Sequence, residues 1–310
     1  MAMTSAVTSA VTGAVARPPA PALDWATMRR HLTAMIGLVL LALPFADGAL
    51  AADPDPTAAA SAPADAAAPP DPTLPVPPVP PRIAEGADYE KCLGMLSDDP
   101  SGAYVFADAW IATGGGDGAT HCEALAQIAL GNPDAGAAML EKLAAGSSAA
   151  VLARAAIFGQ AEEAWMMASE PDRAYGAATQ ALALKPDDAD LLIARAGAAI
   201  AMGRFMDSID DLNRALELDP RRADALVLRG SAWRNEDKID LAQADIDHAI
   251  DIDPDDPEAL LERGILRQRK GDRTGAQADW ERAIALDPDS QAADLAQQNL
   301  ALLEAGPDAR

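Results

Sequence analysis

Four short phrases ending in proline, Ala-Leu-Ala-Leu-Lys-Pro, Ala-Leu-Glu-Leu-Asp-Pro, Ala-Ile-Asp-Ile-Asp-Pro and Ala-Ile-Ala-Leu-Asp-Pro, place Pro186, Pro220, Pro254 and Pro288 at equal intervals of 34 residues. A fixed period of this length calls for a stack of like supersecondary units, each burying its apolar face against the next. Within a period the apolar residues recur twice at helical spacing, over 191–202 and 206–218 in one unit and at the same offsets in the two that follow. The unit is therefore a helical hairpin. Small residues mark where its helices cross: Ala196 with Ser208, Gly230 with Ala242 and Gly264 with Ala276, each pair 12 apart. Leu192, Leu226 and Leu260 on the first helices, with Leu212, Ile246 and Trp280 on the second, supply the bulk beside these crossings. Gly203 and Gly271 stop the first helix because glycine tolerates the left-handed conformation, and the recurrent proline stops the second because it cannot extend the hydrogen-bond ladder. Asp256-Pro257-Glu258 restarts the pattern with a cap, a first-turn proline and a first-turn acid.

A small residue at the eighth position, another at the twentieth, alanine at the twenty-seventh (Ala215, Ala249, Ala283) and proline at the thirty-second make this pattern resemble the tetratricopeptide repeat family. The resemblance is close over 189–290 and looser over 155–188, a little under half of the chain. It implies an all-α fold, a right-handed superhelical solenoid of antiparallel helix pairs with units 155–188, 189–222, 223–256 and 257–290. The array is expected to span 147–304, ending in a capping helix over 292–303, with 305–310 as a frayed tail. Three positions depart from the family pattern. Glu162 takes a small-residue position, Asp237 replaces a turn glycine, and Arg267 stands where a large apolar or aromatic side chain is usual.

The family's geometry turns positions two, five, nine, twelve and thirteen of each first helix toward a concave groove. The residues so implied as partner-binding are Met166 and Met167, Ile193 and Ile200, Val227, Ser231, Arg234 and Asn235, and Leu261, Ile265, Gln268 and Arg269, with Asp190, Asp224 and Glu258 as an acidic edge. Such a surface suits an extended or helical peptide, the methionines adapting to its shape and the arginines favouring an acidic residue or a free carboxylate. The lysine and asparagine that chaperone-tail clamps of this family carry at the fifth and ninth positions are absent. Arg195, Arg229 and Arg263 recur at the repeat interval, as do Asp211, Asp245 and Asp279. They read as a structural ladder of partly buried ion pairs that sets the register of the stack.

Ahead of the repeats, Met-Arg-Arg-His from Met28, an apolar run over 32–45 and Ala-Asp-Gly-Ala-Leu-Ala have the order of a secretory signal, with cleavage expected after Ala51 and the true start expected at Met28. The apolar run is short of the roughly 20 residues that a membrane span needs. Residues 52–84 are dominated by alanine, proline and aspartate and read as a disordered tether. Over 85–146 short helices are expected at 88–96, 101–113, 119–130 and 134–145 as degenerate repeats, followed by a long helix over 148–169. Cys92 and Cys122 are the only cysteines, and behind an export signal they are expected to form a disulfide.

The chain carries a formal charge of −24, which disfavours nucleic acid and anionic membrane surfaces as partners. His121 and His248 stand beside no partner motif, so no catalytic residue, cofactor or metal ligand is assigned. Asp251, Asp253, Asp255 and Glu262 imitate a calcium loop, but Asp256 stands where that loop needs glycine. The expectation is a non-enzymatic protein–protein interaction scaffold of the bacterial periplasm or cell envelope, with no stable membrane insertion after signal cleavage. The alternatives are an enzyme or small-ligand receptor with its site around Cys92, Trp110 and His121, and a chain anchored by its N-terminus in the inner membrane facing the periplasm.

Overall fold

The computed structural model describes residues 82–305. The signal segment, the tether up to 81 and the tail from 306 lie outside the described residues. The folded body starts by Ile83, which is already buried. Among the described residues there are thirteen α-helices: α1 Ala87–Met95, α2 Pro100–Ala112, α3 Gly116–Ala129, α4 Pro133–Gly146, α5 Val151–Met167, α6 Pro171–Leu184, α7 Ala189–Ala201, α8 Phe205–Leu218, α9 Ala223–Asn235, α10 Ile239–Ile252, α11 Pro257–Arg269, α12 Arg273–Leu286 and α13 Gln291–Ala305. Each packs chiefly on its neighbours in sequence, so the chain forms successive hairpins from α1–α2 to α11–α12, with α13 laid against the last pair. Among the described residues no helix is long and apolar enough to cross a membrane.

Local chemistry sets the helix ends. Asp188, Asp256 and Asp272 accept backbone N–H bonds as N-caps of α7, α11 and α12, and prolines open α2, α4, α6 and α11. The turn inside each hairpin from α3–α4 to α11–α12 holds one residue with positive φ. Gly131, Gly203 and Gly271 supply it at no steric cost, whereas Ser169 (φ 59°) and Asp237 (φ 56°) are forced into it. Asp237→Gly is therefore expected to stabilise the protein by about 0.5–1 kcal/mol, seen as a higher urea midpoint at unchanged slope. A lower midpoint would mean that the aspartate side chain holds the turn.

The 12-residue crossing extends further toward the N-terminus than the sequence pattern shows. In α3–α4 it falls on Ala124 and Gly136, where a Cβ on Gly136 would lie 2.7 Å from the Ala124 carbonyl oxygen. The long helix expected over 148–169 begins only at Val151, because Ala150 is extended (ψ 144°). Cys92 on α1 and Cys122 on α3 are joined by a disulfide with Cα atoms 6.2 Å apart, inside a small cluster with Leu96, Ala103, Ala107 and Ala126. Closing this 30-residue separation restrains the unfolded chain where α1 is only nine residues long.

The periodic arginines and aspartates meet within each hairpin. Arg195 donates to Asp211 (2.8 and 2.6 Å), Arg229 to Asp245 (2.8 and 2.7 Å) and Arg263 to Asp279 (3.0 and 2.7 Å), each as a two-bond fork between first and second helix. Arg267, out of place by the family pattern, adds a second guanidinium to Asp279 at 2.7 Å and donates to the Gly275 carbonyl. In α5–α6 the equivalent positions are Ala161 and Ala177, and no ladder pair forms. Next to that gap Glu162 is buried, facing a helix whose Ala174, Ala177 and Ala178 are wholly buried.

Candidate functional site

The first helices α5, α7, α9 and α11 carry the expected groove residues at three depths. Val227 and Leu261 are 7% and 6% exposed and belong to the hairpin cores, Leu261 beside Trp280 and Val227 beside Ile246. Met166, Ile193, Ile200, Ser231, Ile265 and Gln268 are half-buried. Met167, Asn235 and Arg269 are exposed. The accessible surface therefore runs along positions nine to thirteen of the first helices, and position five supports it from beneath at Val227 and Leu261 but reaches it at Ile193.

Its arginines are already engaged. Arg234 forks onto Glu262 of the next first helix (Nε–Oε2 2.7 Å, Nη2–Oε1 3.0 Å) and also donates to the Ser231 hydroxyl at 3.2 Å. Asn235 turns back to the Ser231 carbonyl at 2.9 Å. Arg269 reaches the Arg234 carbonyl at 3.3 Å and Asp237 at 3.5 Å. The cationic end expected to favour a carboxylate is thus neutralised from within. Glu262 is the residue that sequence reasoning missed; it was read only against a calcium-loop pattern, whereas its burial in the stack is what commits it to Arg234.

Along the edge, Arg222 lies between Asp190 (2.6 Å) and Asp224 (2.7 and 3.0 Å). Burial works to raise the Asp224 carboxyl, but the hydrogen bonds and charge of Arg222 outweigh it and hold it below the usual value. Glu258 on the same edge is raised, first by burial and then by Asp256.

The N-terminal alternative centres on His121. Its Nε2 lies 2.7 Å from Gln160 Oε1 and its Nδ1 2.6 Å from the Tyr89 hydroxyl, so Nε2–H donates to Gln160 and the phenol donates to Nδ1. Burial pushes the imidazole down to about 4 against the opposing bond from Gln160, and raises the phenol to about 12. This arrangement ties α1, α3 and α5 together and leaves neither ring nitrogen free. Trp110, near the end of α2, lies beside Gly115 and Gly118. A depression of about 350 Å³ between α3 and α4 is lined by Asp117, Thr120, Met139, Lys142, Leu143, Gly146 and Ser147, with Ser147 hydrogen-bonded to Asp117; it does not reach His121. His248 is exposed on α10. Among the described residues no group of three or more potential ligands could hold a metal ion.

No protein-family model matches the chain, and no curated protein matches it. Solved structures do. A structure of PilF from Pseudomonas aeruginosa aligns at TM-score 0.52 and 16% identity over 68% of this chain and 96% of its own. The Cut9–Hcn1 hetero-tetramer of APC/C aligns at TM-score 0.52 and 16% identity over 69% of this chain and 42% of that one. TTC0263, a thermophilic tetratricopeptide-repeat protein of Thermus thermophilus, aligns at TM-score 0.49 and 18% identity over 61% and 99%. At such identities the likeness speaks to architecture alone. Helices packed in sequential pairs, 12-residue crossings and the alignments at TM-score 0.52 together make the described chain an α-solenoid of the tetratricopeptide-repeat fold.

Proposed function

We propose that the protein is a non-enzymatic scaffold that binds a partner polypeptide on the groove side of its first helices, and that it works in the bacterial periplasm after removal of residues 1–51. The observation that carries the binding reading is the set of partly exposed apolar side chains on the first helices, Met166 and Met167 on α5, Ile193 and Ile200 on α7 and Ile265 on α11. An apolar surface shared by the adjoining helices α5 and α7 is what an extended or helical peptide needs. The export reading rests on the order of charge, apolar run and small residues over 28–51. An enzymatic or ligand-receptor site around His121 would first have to free a ring nitrogen from Tyr89 or Gln160.

The test uses the full chain produced in a bacterial host, beside a variant carrying Met167→Glu and Ile200→Glu. Val227 and Leu261 are unsuitable, because a buried glutamate there would unfold the hairpin. The wild type is expected to retain discrete proteins from an envelope extract that the variant loses at equal melting temperature. Equal retention by both would refute the groove. N-terminal sequencing of the recovered protein is expected to begin at Ala52, and an intact leader would refute the export reading.

A further inference from the structure

The groove is not uniform, and its two halves differ in what they leave open. Gly197, Ser231 and Ile265 are equivalent positions at 34-residue intervals, on α7, α9 and α11. A Cβ built on Gly197 meets nothing within 4 Å, so its side of α7 faces open space. The crossing glycines behave oppositely: Gly230 would press on Ile246 and Gly264 on Trp280. Ile193, four residues before Gly197, and Ile200, three after it, share its helix face and are half-buried, so they form the two walls of a notch with glycine as its floor. The end of α5, which packs beside α7, adds half-buried Met166 and exposed Met167.

The α9–α11 half is closed by its own polar bonds. Ser231 accepts from Arg234, Arg234 is forked onto Glu262, and these two side chains are only 17% and 11% exposed. An incoming carboxylate could reach Arg234 only by displacing Glu262, leaving a buried charge unpaired. The edge next to α7 has the opposite balance, with Asp190 80% exposed and a single Arg222 shared between it and Asp224. Two carboxylates for one guanidinium leave negative charge facing the solvent.

We propose that the partner-binding part of the groove is the α5–α7 half, where the notch over Gly197 takes one large apolar side chain of a peptide segment flanked by lysine or arginine. This rests on the groove reading above and narrows it to one half and one chemistry. A glycine at this position of a helix costs stability relative to alanine, and an open notch is what that cost obtains.

The experiment pans a display library of random peptides about twelve residues long against the full chain and measures the enriched peptides by fluorescence anisotropy on the wild type, Gly197→Trp and Ser231→Trp, all checked for unchanged melting. The enriched peptides are expected to share a large apolar residue next to lysine or arginine, and Gly197→Trp is expected to weaken them at least about tenfold by filling the notch. Enrichment of acidic peptides, or no enrichment at all, overturns the proposal. So does full binding to Gly197→Trp. If that binding is then lost on Ser231→Trp, the groove stands and only its assignment to the α5–α7 half falls; if it survives both substitutions, the groove reading falls as well.

Discussion

Gly264→Ala is expected to destabilise the protein by about 3 kcal/mol, although it is a glycine-to-alanine change inside a helix, where the usual effect is a gain of about 1 kcal/mol. The new methyl would lie 2.6 Å from Trp280 Cδ1 and 2.8 Å from Cε2, and closer still to the indole nitrogen. Trp280 is wholly buried and donates that nitrogen to the Leu261 carbonyl at 3.2 Å. Moving the ring costs roughly 1–3 kcal/mol in overpacking, and losing its hydrogen bond costs about 1–3 more, because donor and acceptor are both shielded from water. The repeat contains its own remedy: the positions in α7–α8 equivalent to Gly264 and Trp280 hold Ala196 and Leu212, both fully buried. Gly264→Ala with Trp280→Leu should accordingly recover most of the loss, and urea denaturation of the single and double variants measures both. A single variant as stable as wild type would mean that α11 and α12 can separate at no cost.

The second expectation concerns Glu162. Burial, and after it the like charge of Glu163, push this carboxyl up to about 8 from an ordinary value of 4.5. The folded state therefore holds the proton more tightly than the unfolded chain between those two values. Stability is greatest below about pH 4.5 as far as this group is concerned, and falls as pH rises toward 8. Over pH 5–8 the loss should be on the order of 2–4 kcal/mol, and Glu162→Gln, which keeps the shape without the charge, should abolish it and melt higher than wild type at pH 8. His121 works at the other limb. Its folded value near 4 lies below the ordinary 6.5, so its contribution is complete above pH 6.5 and is lost as pH falls toward 4. Melting temperatures across pH 4–9 separate the two, because only the alkaline limb should change in the glutamine variant. An unchanged alkaline limb would show that Glu162 ionises without resistance, with water reaching it.

Much of the fold is legible in the residues, for a physical reason. Helix periodicity, the crossing residues and the turn residues act over three, four, 12 or 34 positions along one chain, so spacing reports them directly. The forks from Arg195, Arg229 and Arg263 belong to this class, since their aspartates stand at a constant 16 residues. The crossing at Ala124 and Gly136 escaped the pattern because the spacing between its turn glycine, Gly131, and the next turn residue, Ser169, is 38 rather than 34. The groove was harder to read. Position alone could not show that Val227 and Leu261 lie under the surface while Ile193 and Ile265 reach it, because that depends on how deeply neighbouring hairpins overlap.

By itself the sequence determined the unit, its two helices, their caps and turns and the number of clear repeats, since all of these follow from short-range sterics and hydrogen bonding repeated at one interval. Only the tertiary structure decided which side chains remain available. Arg234 looks as free as any other groove arginine until Glu262, 28 residues on, is brought against it. Ile193 and Val227 hold the same place in their units until the stack covers Val227 to 7% exposure and leaves Ile193 half-buried. Availability is set by what stands across the gap between helices, and that neighbour is chosen by the stacking of whole units rather than by any residue's own place in the repeat.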